Sequence, residues 1–188
     1  MRKGFSLIEL IVVMALFLTL MLVVSDIFLS VSMVQRKTLA FQQARNDLQF
    51  NLEQIVQQIR LNKIDYDYYG GAPAGATDKL ALLNRDGQLI LFEKVAAHCP
   101  AGVQSCLSRA IGEERAIISA DNIDIVKLEF NISPKKNPYE FNQAENKFLN
   151  DEQPLVTVSL VGKTLAPLEA DQKEIFLQTS VVSRFYVR

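Results

Sequence analysis

The apolar and polar positions of this chain fall into three successive patterns. From residue 5 to residue 25 the sequence reads FSLIELIVVMALFLTLMLVVS, 21 residues in which Glu9 is the only charge. As a helix that run is about 31 Å long, matching a bilayer hydrocarbon core of roughly 30 Å. Further on, apolar residues recur at Phe41, Ala44, Leu48, Leu52, Ile55 and Ile59. Steps of three or four keep them on one helix face. Gln42, Gln43, Arg45, Gln49, Gln54, Gln57 and Arg60 occupy much of the remainder, and no Gly or Pro interrupts residues 5–69. The pattern predicts one continuous helix to about Lys63, roughly 88 Å long. A helix of that length is either a coiled-coil strand or half buried in another part of the protein.

The segment YDYYGGAPAGATD, residues 66–78, breaks the helical pattern. Gly70 and Gly71 permit left-handed backbone and Pro73 cannot continue a helix. Tyr66, Tyr68 and Tyr69 are expected to pack where this loop turns, with an exposed recognition patch as the alternative. Downstream the period becomes strand-like. Residues 79–83 and 88–92 flank Asn84-Arg85-Asp86-Gly87, a hairpin turn sequence. Further strands are expected at 123–132, 155–161 and 175–182. Within 123–132 the alternation changes register, which predicts Ile123 and Ile125 on one face and Leu128 and Phe130 on the other. Residues 133–154 are polar, with Pro134 and Pro138, and read as a long surface connection. Five or six antiparallel strands covering the second half of the helix make an α+β fold. There is no internal repeat and no low-complexity tract.

Arg2 and Lys3 precede the apolar run, which biases that end toward the cytoplasm and the rest of the chain outward. A secretory signal peptide would have a shorter apolar core and an A-x-A-like site after it, and neither is present. A plain membrane anchor leaves Glu9 unexplained, because an acidic side chain costs about 2.5–3.5 kcal/mol at a bilayer centre, less near an interface. No partner for Glu9 is evident in its own neighbourhood, so a positive charge from elsewhere is expected. Asp26, at the outer end of the span, is expected to be a solvated interfacial carboxylate. The order Lys3-Gly4-Phe5-Ser6-Leu7-Ile8-Glu9-Leu10 resembles the processing and assembly motif of type IV pilins and type II secretion pseudopilins. The resemblance implies cleavage after Gly4 by a prepilin peptidase, N-methylation of Phe5 as the new terminus, and an assembly role for Glu9. It also implies a pilin-like fold: a long N-terminal helix, transmembrane in its first half, packed by its second half on an antiparallel sheet. A proline that breaks the helix in many members has no counterpart here before Pro73.

The implied organisation is a leader at 1–4, a transmembrane and filament-core helix at 5–29, a helical stalk at 30–65 and a β-rich extracytoplasmic head at 66–188. The hairpin at Asp86-Gly87, Ser108-Arg109, ISADNIDIVKLEF, PLVTVSL and the final LQTSVVSR resemble minor pilins of the pseudopilin J and W type. The partners implied are a prepilin peptidase, other major and minor pilin subunits, an inner-membrane assembly platform and, before assembly, membrane lipid. The place implied is the inner membrane with the N-terminus inside, then a periplasmic or cell-surface filament.

Composition narrows the remaining chemistry. The 188 residues carry 20 Lys and Arg against 21 Asp and Glu, and loss of Arg2 and Lys3 leaves 18 against 21, a net charge of −3. No global basic field exists to hold a polyanion. Lys135-Lys136 beside Tyr139 is the best candidate for the alternative, a competence-type head that binds DNA, and it is thin. Trp is absent, and there are one His and two Cys. Cys99 and Cys106 bracket P-A-G-V-Q-S; an extracytoplasmic head favours a disulfide, while free thiols or a metal site with His98 remain open. No phosphate loop, G-x-S-x-G or H-E-x-x-H occurs. Asp65 and Asp67, or Asp121 and Asp124, read as solvated turn carboxylates rather than calcium ligands. Neither an enzyme nor a cofactor is expected.

Overall fold

The computed structural model describes residues 6–73, 75–143, 146–148, 152–165 and 172–184. Helix α1 spans Leu7–Leu61, 55 residues without a break, as an interior free of Gly and Pro allows. It ends two residues before the expected Lys63. Asn62 turns its side-chain amide back onto the Gln58 carbonyl at 3.0 Å and the Gln58 side chain at 2.8 Å, and the next two residues are already a strand. The chain divides into two compact units, Met1–Ala40 and Phe41–Arg188.

The described part of the first unit is helical from residue 7 onward, and its side chains are exposed on nearly every face. The second contains the end of α1 and the strands. One sheet has the order β1-β3-β4-β5-β6: Lys63–Ile64, Lys79–Leu83, Leu89–Val95, Cys106–Ile111 and Glu114–Ile117. The other has the order β11-β10-β7-β2: Glu174–Val182, Leu155–Thr164, Ile123–Ser133 and Ala76–Thr77. A two-residue hairpin pair, β8 at Phe141–Asn142 and β9 at Lys147–Phe148, lies within the 133–154 connection. All ladders are antiparallel. The architecture is therefore α+β and pilin-like, one long N-terminal helix followed by antiparallel sheets. The strands outnumber expectation: β1, β2, β8 and β9 are only two residues long, too short for a period, and β5 and β6 were not among the runs read from the sequence. The β3–β4 turn forms as its sequence dictates: Asn84 Oδ1 accepts the amides of Asp86 and Gln88 at 3.0 and 2.7 Å, and Gly87 takes φ 77°.

The register change in β7 is real, but its consequence is the opposite of the one expected. Val161 of β10 faces Lys127 while the next residue, Gly162, faces Ile125, so Val126 is an extra residue in the ladder. A bulge shifts the alternation by one. Ile123 and Ile125 before it and Leu128, Phe130 and Ile132 after it are consequently all buried on the core face. In that core Ala44, Leu48, Leu52, Ile55 and Ile59 of α1 meet Leu80, Leu82, Phe92 and Leu107 of the first sheet and Val156, Val158 and Leu160 of the second. Asn51 is buried on the same helix face, which apolar periodicity alone did not reveal. Gly162 lies close against the helix: an added Cβ would lie 2.6 Å from Leu48 Cδ1 and 3.0 Å from Ile123 Cγ2.

Two of the three tyrosines pack as expected. Tyr66 is buried, donates to the Pro134 carbonyl at 2.9 Å, and meets the Tyr139 ring edge-on at 6.1 Å. The Tyr69 hydroxyl donates to the Lys79 carbonyl at 3.0 Å and accepts the Ala81 amide at 2.8 Å. Tyr68 stays 42% exposed. Burial pushes the Tyr69 hydroxyl up to about 12 and raises Tyr66 further still.

Two outcomes follow from this packing. Gly162→Val should lower the unfolding free energy by about 1–3 kcal/mol through overpacking, read from denaturant midpoints of the detergent-solubilised chain. Combined with Leu48→Ala the total loss should fall short of the sum of the two single losses. Because the Tyr69 pKa is raised on folding, its contribution to stability is complete below the unfolded value of 10 and is lost as pH rises toward 12. Phenolate absorbance should therefore show two tyrosines that ionise only above the ordinary range, moving into it when the protein is first unfolded.

Candidate functional site at the helix start

A helix begins with backbone N–H groups that no intrahelical carbonyl can satisfy. Here Ser6 and Glu9 satisfy two of them reciprocally. The Glu9 amide donates to Ser6 Oγ at 3.3 Å, and Glu9 Oε2 accepts the Ser6 amide at 3.1 Å and the Ser6 hydroxyl at 3.3 Å. This is a capping box, the S-x-x-E spacing before an apolar run. It corrects the expectation that Glu9 lacks a partner in its own neighbourhood: the spacing of Ser6 and Glu9 was the available signal. The correction concerns hydrogen bonds and not charge. Ser6 contributes no positive charge, the helix N-terminus supplies only a partial one, and Glu9 Oε1 accepts nothing among the described residues. Gly4 and Phe5, the expected cleavage and methylation positions, lie outside the described residues.

The surface around Glu9 is apolar. From Leu7 to Val34 the large hydrophobic side chains are exposed, and α1 is long and apolar enough to cross a membrane. Two of its hydroxyls turn onto the backbone: Thr19 Oγ1 donates to the Leu16 carbonyl and Ser25 Oγ to the Met21 carbonyl, each at 2.8 Å. Such back-bonding removes the cost of unpaired donors in a lipid or protein surrounding.

The other candidates resolve as structural. Cys99 and Cys106 are joined by a disulfide with Cα atoms 5.7 Å apart, and among the described residues no cluster of His, Cys, Asp and Glu is arranged to hold a metal. The loop they close is tied to β7, since the Ser105 amide donates to Asp124 Oδ1 at 2.6 Å and the Ile125 amide to the Ser105 carbonyl at 2.9 Å. Asp65 Oδ1 accepts the amides of Asp67 and Tyr68, a local turn. Lys135 and Lys136 are exposed, but the Tyr139 ring packs against Tyr66 and lies under Lys63 Nζ at 4.5 Å, so it is not offered for base stacking. Glu93 escaped the sequence reading. Its buried carboxylate is held by Lys79 at 3.0 Å and Arg115 at 2.6 Å, and the Glu93 hydrogen bond raises the Lys79 pKa. A carboxylate so fully paired serves the sheet and is not a free base. The cross-strand register of Lys79 with Glu93 carries that pairing.

Comparison with known proteins agrees with the helix start. Residues 1–25 match the family described as the prokaryotic N-terminal methylation motif. No curated protein and no solved structure matches the chain. The match covers the first 25 residues, and with the architecture it makes the chain similar to type IV pilin-like proteins, with a first helix long and apolar enough to cross a membrane.

Replacing Cys99 and Cys106 together by Ser should lower stability by about 2.5 kcal/mol on the chain-entropy estimate. The check is a denaturant titration of the oxidised parent beside the variant.

Proposed function

We infer that this chain is a non-enzymatic minor subunit of a type IV pilus or type II secretion pseudopilus, of the pseudopilin J or W type. A prepilin peptidase removes residues 1–4, Phe5 becomes the methylated N-terminus, and residues 5–29 reside first in the inner membrane and later in a filament core. Residues 30–65 are the stalk, and residues 66–188 form a head outside the cytoplasm that binds no nucleic acid. The observation that carries the reading is Glu9. It is an acidic side chain on an exposed apolar helix, with one oxygen that accepts nothing among the described residues, within the segment that matches the methylation motif. The freshly exposed amine of a neighbouring subunit is the cation that such a site calls for, since an unpaired charge in a covered apolar surface is strongly unfavourable. The minor, tip or initiation position draws support from the looser resemblance of the head strands, and membrane extraction depends on machinery other than this chain.

Expression with and without an active prepilin peptidase tests the reading. Mass spectrometry should find Phe5, methylated, at the N-terminus only with the peptidase, and an intact Met1 in its presence refutes the processing step. Glu9→Ala should be cleaved yet lose at least about 90% of its recovery in the sheared filament fraction, the size expected when one member of a buried charge pair is removed. Wild-type recovery of Glu9→Ala would defeat the assembly role.

A further inference from the structure

The two larger sheets end in four edge strands, β1, β6, β11 and β2. Three of them are blunted. β1 and β2 are two residues long, and β6 is four residues long with Glu114 and Arg115 exposed. Short or charged edges discourage pairing with other chains. β11 is different: it spans nine residues, and positions 175–182 read IFLQTSVV, without a charge, Gly or Pro. Two flanking bonds fix which backbone groups its ladder with β10 uses. The Thr164 amide donates to the Lys173 carbonyl and the Ser183 amide to the Pro154 carbonyl, each at 2.9 Å. Bonded and non-bonded pairs alternate along an antiparallel ladder, so Ile175, Leu177, Thr179 and Val181 bond to β10. The N–H and C=O groups of Glu174, Phe176, Gln178, Ser180 and Val182 point the other way, where no strand pairs among the described residues. The side chains at that rim are apolar too. Phe176 is 62% and Val182 41% exposed, opposite Val161 and Leu155 of β10. Further in, on β7, the same face carries Lys127, Glu129 and Asn131. Polarity thus falls toward the rim, the reverse of a protected edge.

We propose that β11 is a docking strand: an extended segment from the head of a different pilin-type subunit pairs along its free edge and continues the sheet. The contact rests on the minor-subunit reading above, in which the neighbours are other subunits. What the incoming segment meets defines its chemistry. It offers alternating main-chain donors and acceptors to the outward groups of β11, and an apolar side chain beside Phe176. On the opposite face it lays an apolar side chain against Leu177, which packs on the core but stays only partly buried. A second copy of this chain is the wrong occupant. Two β11 strands paired antiparallel in one sheet are related by a two-fold axis normal to that sheet. Helix α1 lies along the sheets, with its buried stripe running from Ala44 to Ile59, so such an axis reverses it. The chain would then enter residues 41–61 from opposite ends in the two copies. Paired parallel, the second copy is turned over and its helix falls on the opposite face of the joined sheet. Neither arrangement suits chains held side by side with their N-termini in one membrane, as that reading requires.

The test uses the full chain, in cells with an active prepilin peptidase, assembly platform and other pilin-type subunits, and the mature N-terminus is read in every sample. In the chain purified alone in detergent, the amides of Phe176, Gln178, Ser180 and Val182 should exchange hydrogen fast and those of Leu177, Thr179 and Val181 slowly. In the assembled complex the fast set should slow by at least about a hundredfold. A benzophenone side chain at position 178, photoactivated in cells, identifies the occupant, and mass spectrometry should place the adduct on an extended head segment of another subunit. Gln178→Pro removes an outward N–H, which an edge strand tolerates. It should keep the denaturant midpoint of the isolated chain and lower recovery in the complex by at least about tenfold. Thr179→Pro removes an N–H bonded to β10 and should lower the midpoint. Edge amides already slow in the isolated chain would overturn the pairing. So would adducts confined to this chain or joining isotopically distinct copies of it, and so would a cleaved Gln178→Pro chain that assembles like the parent. These results leave processing intact. Chains that remain uncleaved would instead overturn the filament reading, and the docking strand with it.

Discussion

From Leu7 to Val34 helix α1 presents its large apolar side chains outward. Water is a poor neighbour for that surface: at about 25 cal/mol per Å², leaving it wet costs far more than a domain's net stability. Lipid or other helices must take water's place, and the polar groups on the surface are arranged for that. Thr19 and Ser25 turn their hydroxyls onto backbone carbonyls. Ser6 and Glu9 close the helix start with each other. What local bonding does not supply is a cationic partner, and neither Glu9 nor Asp26 has one among the described residues.

Glu93 shows the other way of handling a carboxylate. It is buried deeper than either helix carboxylate, yet Lys79 and Arg115 hold both its oxygens within the same sheet. The contrast separates a carboxylate whose counterpart is in the fold from carboxylates that have no cationic partner among the described residues.

The long helix and its buried stripe were legible because nothing between residues 5 and 69 contradicts a 3.6-residue period. The β3–β4 hairpin was legible because Asn84 and Gly87 carry their turn chemistry locally. The capping box was equally local and still escaped, because the acidic residue drew attention as a charge rather than as a hydrogen-bond acceptor three positions after a serine. The faces of β7 were misjudged for a different reason. A bulge at Val126 is fixed by its pairing with β10, and one strand read alone cannot show whether its register shift reverses a face or restores it. Asn51 and Glu93 were invisible for the same cause: their burial is decided by which strands come to lie opposite. The two cysteines could be seen as neighbours, but their bond required the loop geometry that Asp124 and Ile125 hold.

The Tyr69 hydroxyl has a consequence for the border of the first sheet. Strand β1 pairs with β3 only opposite Leu82 and Leu83, and beyond it the Asp65 amide reaches the Ala81 carbonyl. There the tyrosine takes over, offering a proton to Lys79 and receiving one from Ala81. A phenol thus completes the hydrogen bonding that another strand would otherwise provide. Raw edges invite foreign strands and fibrous clumping. One aromatic residue seals that seam.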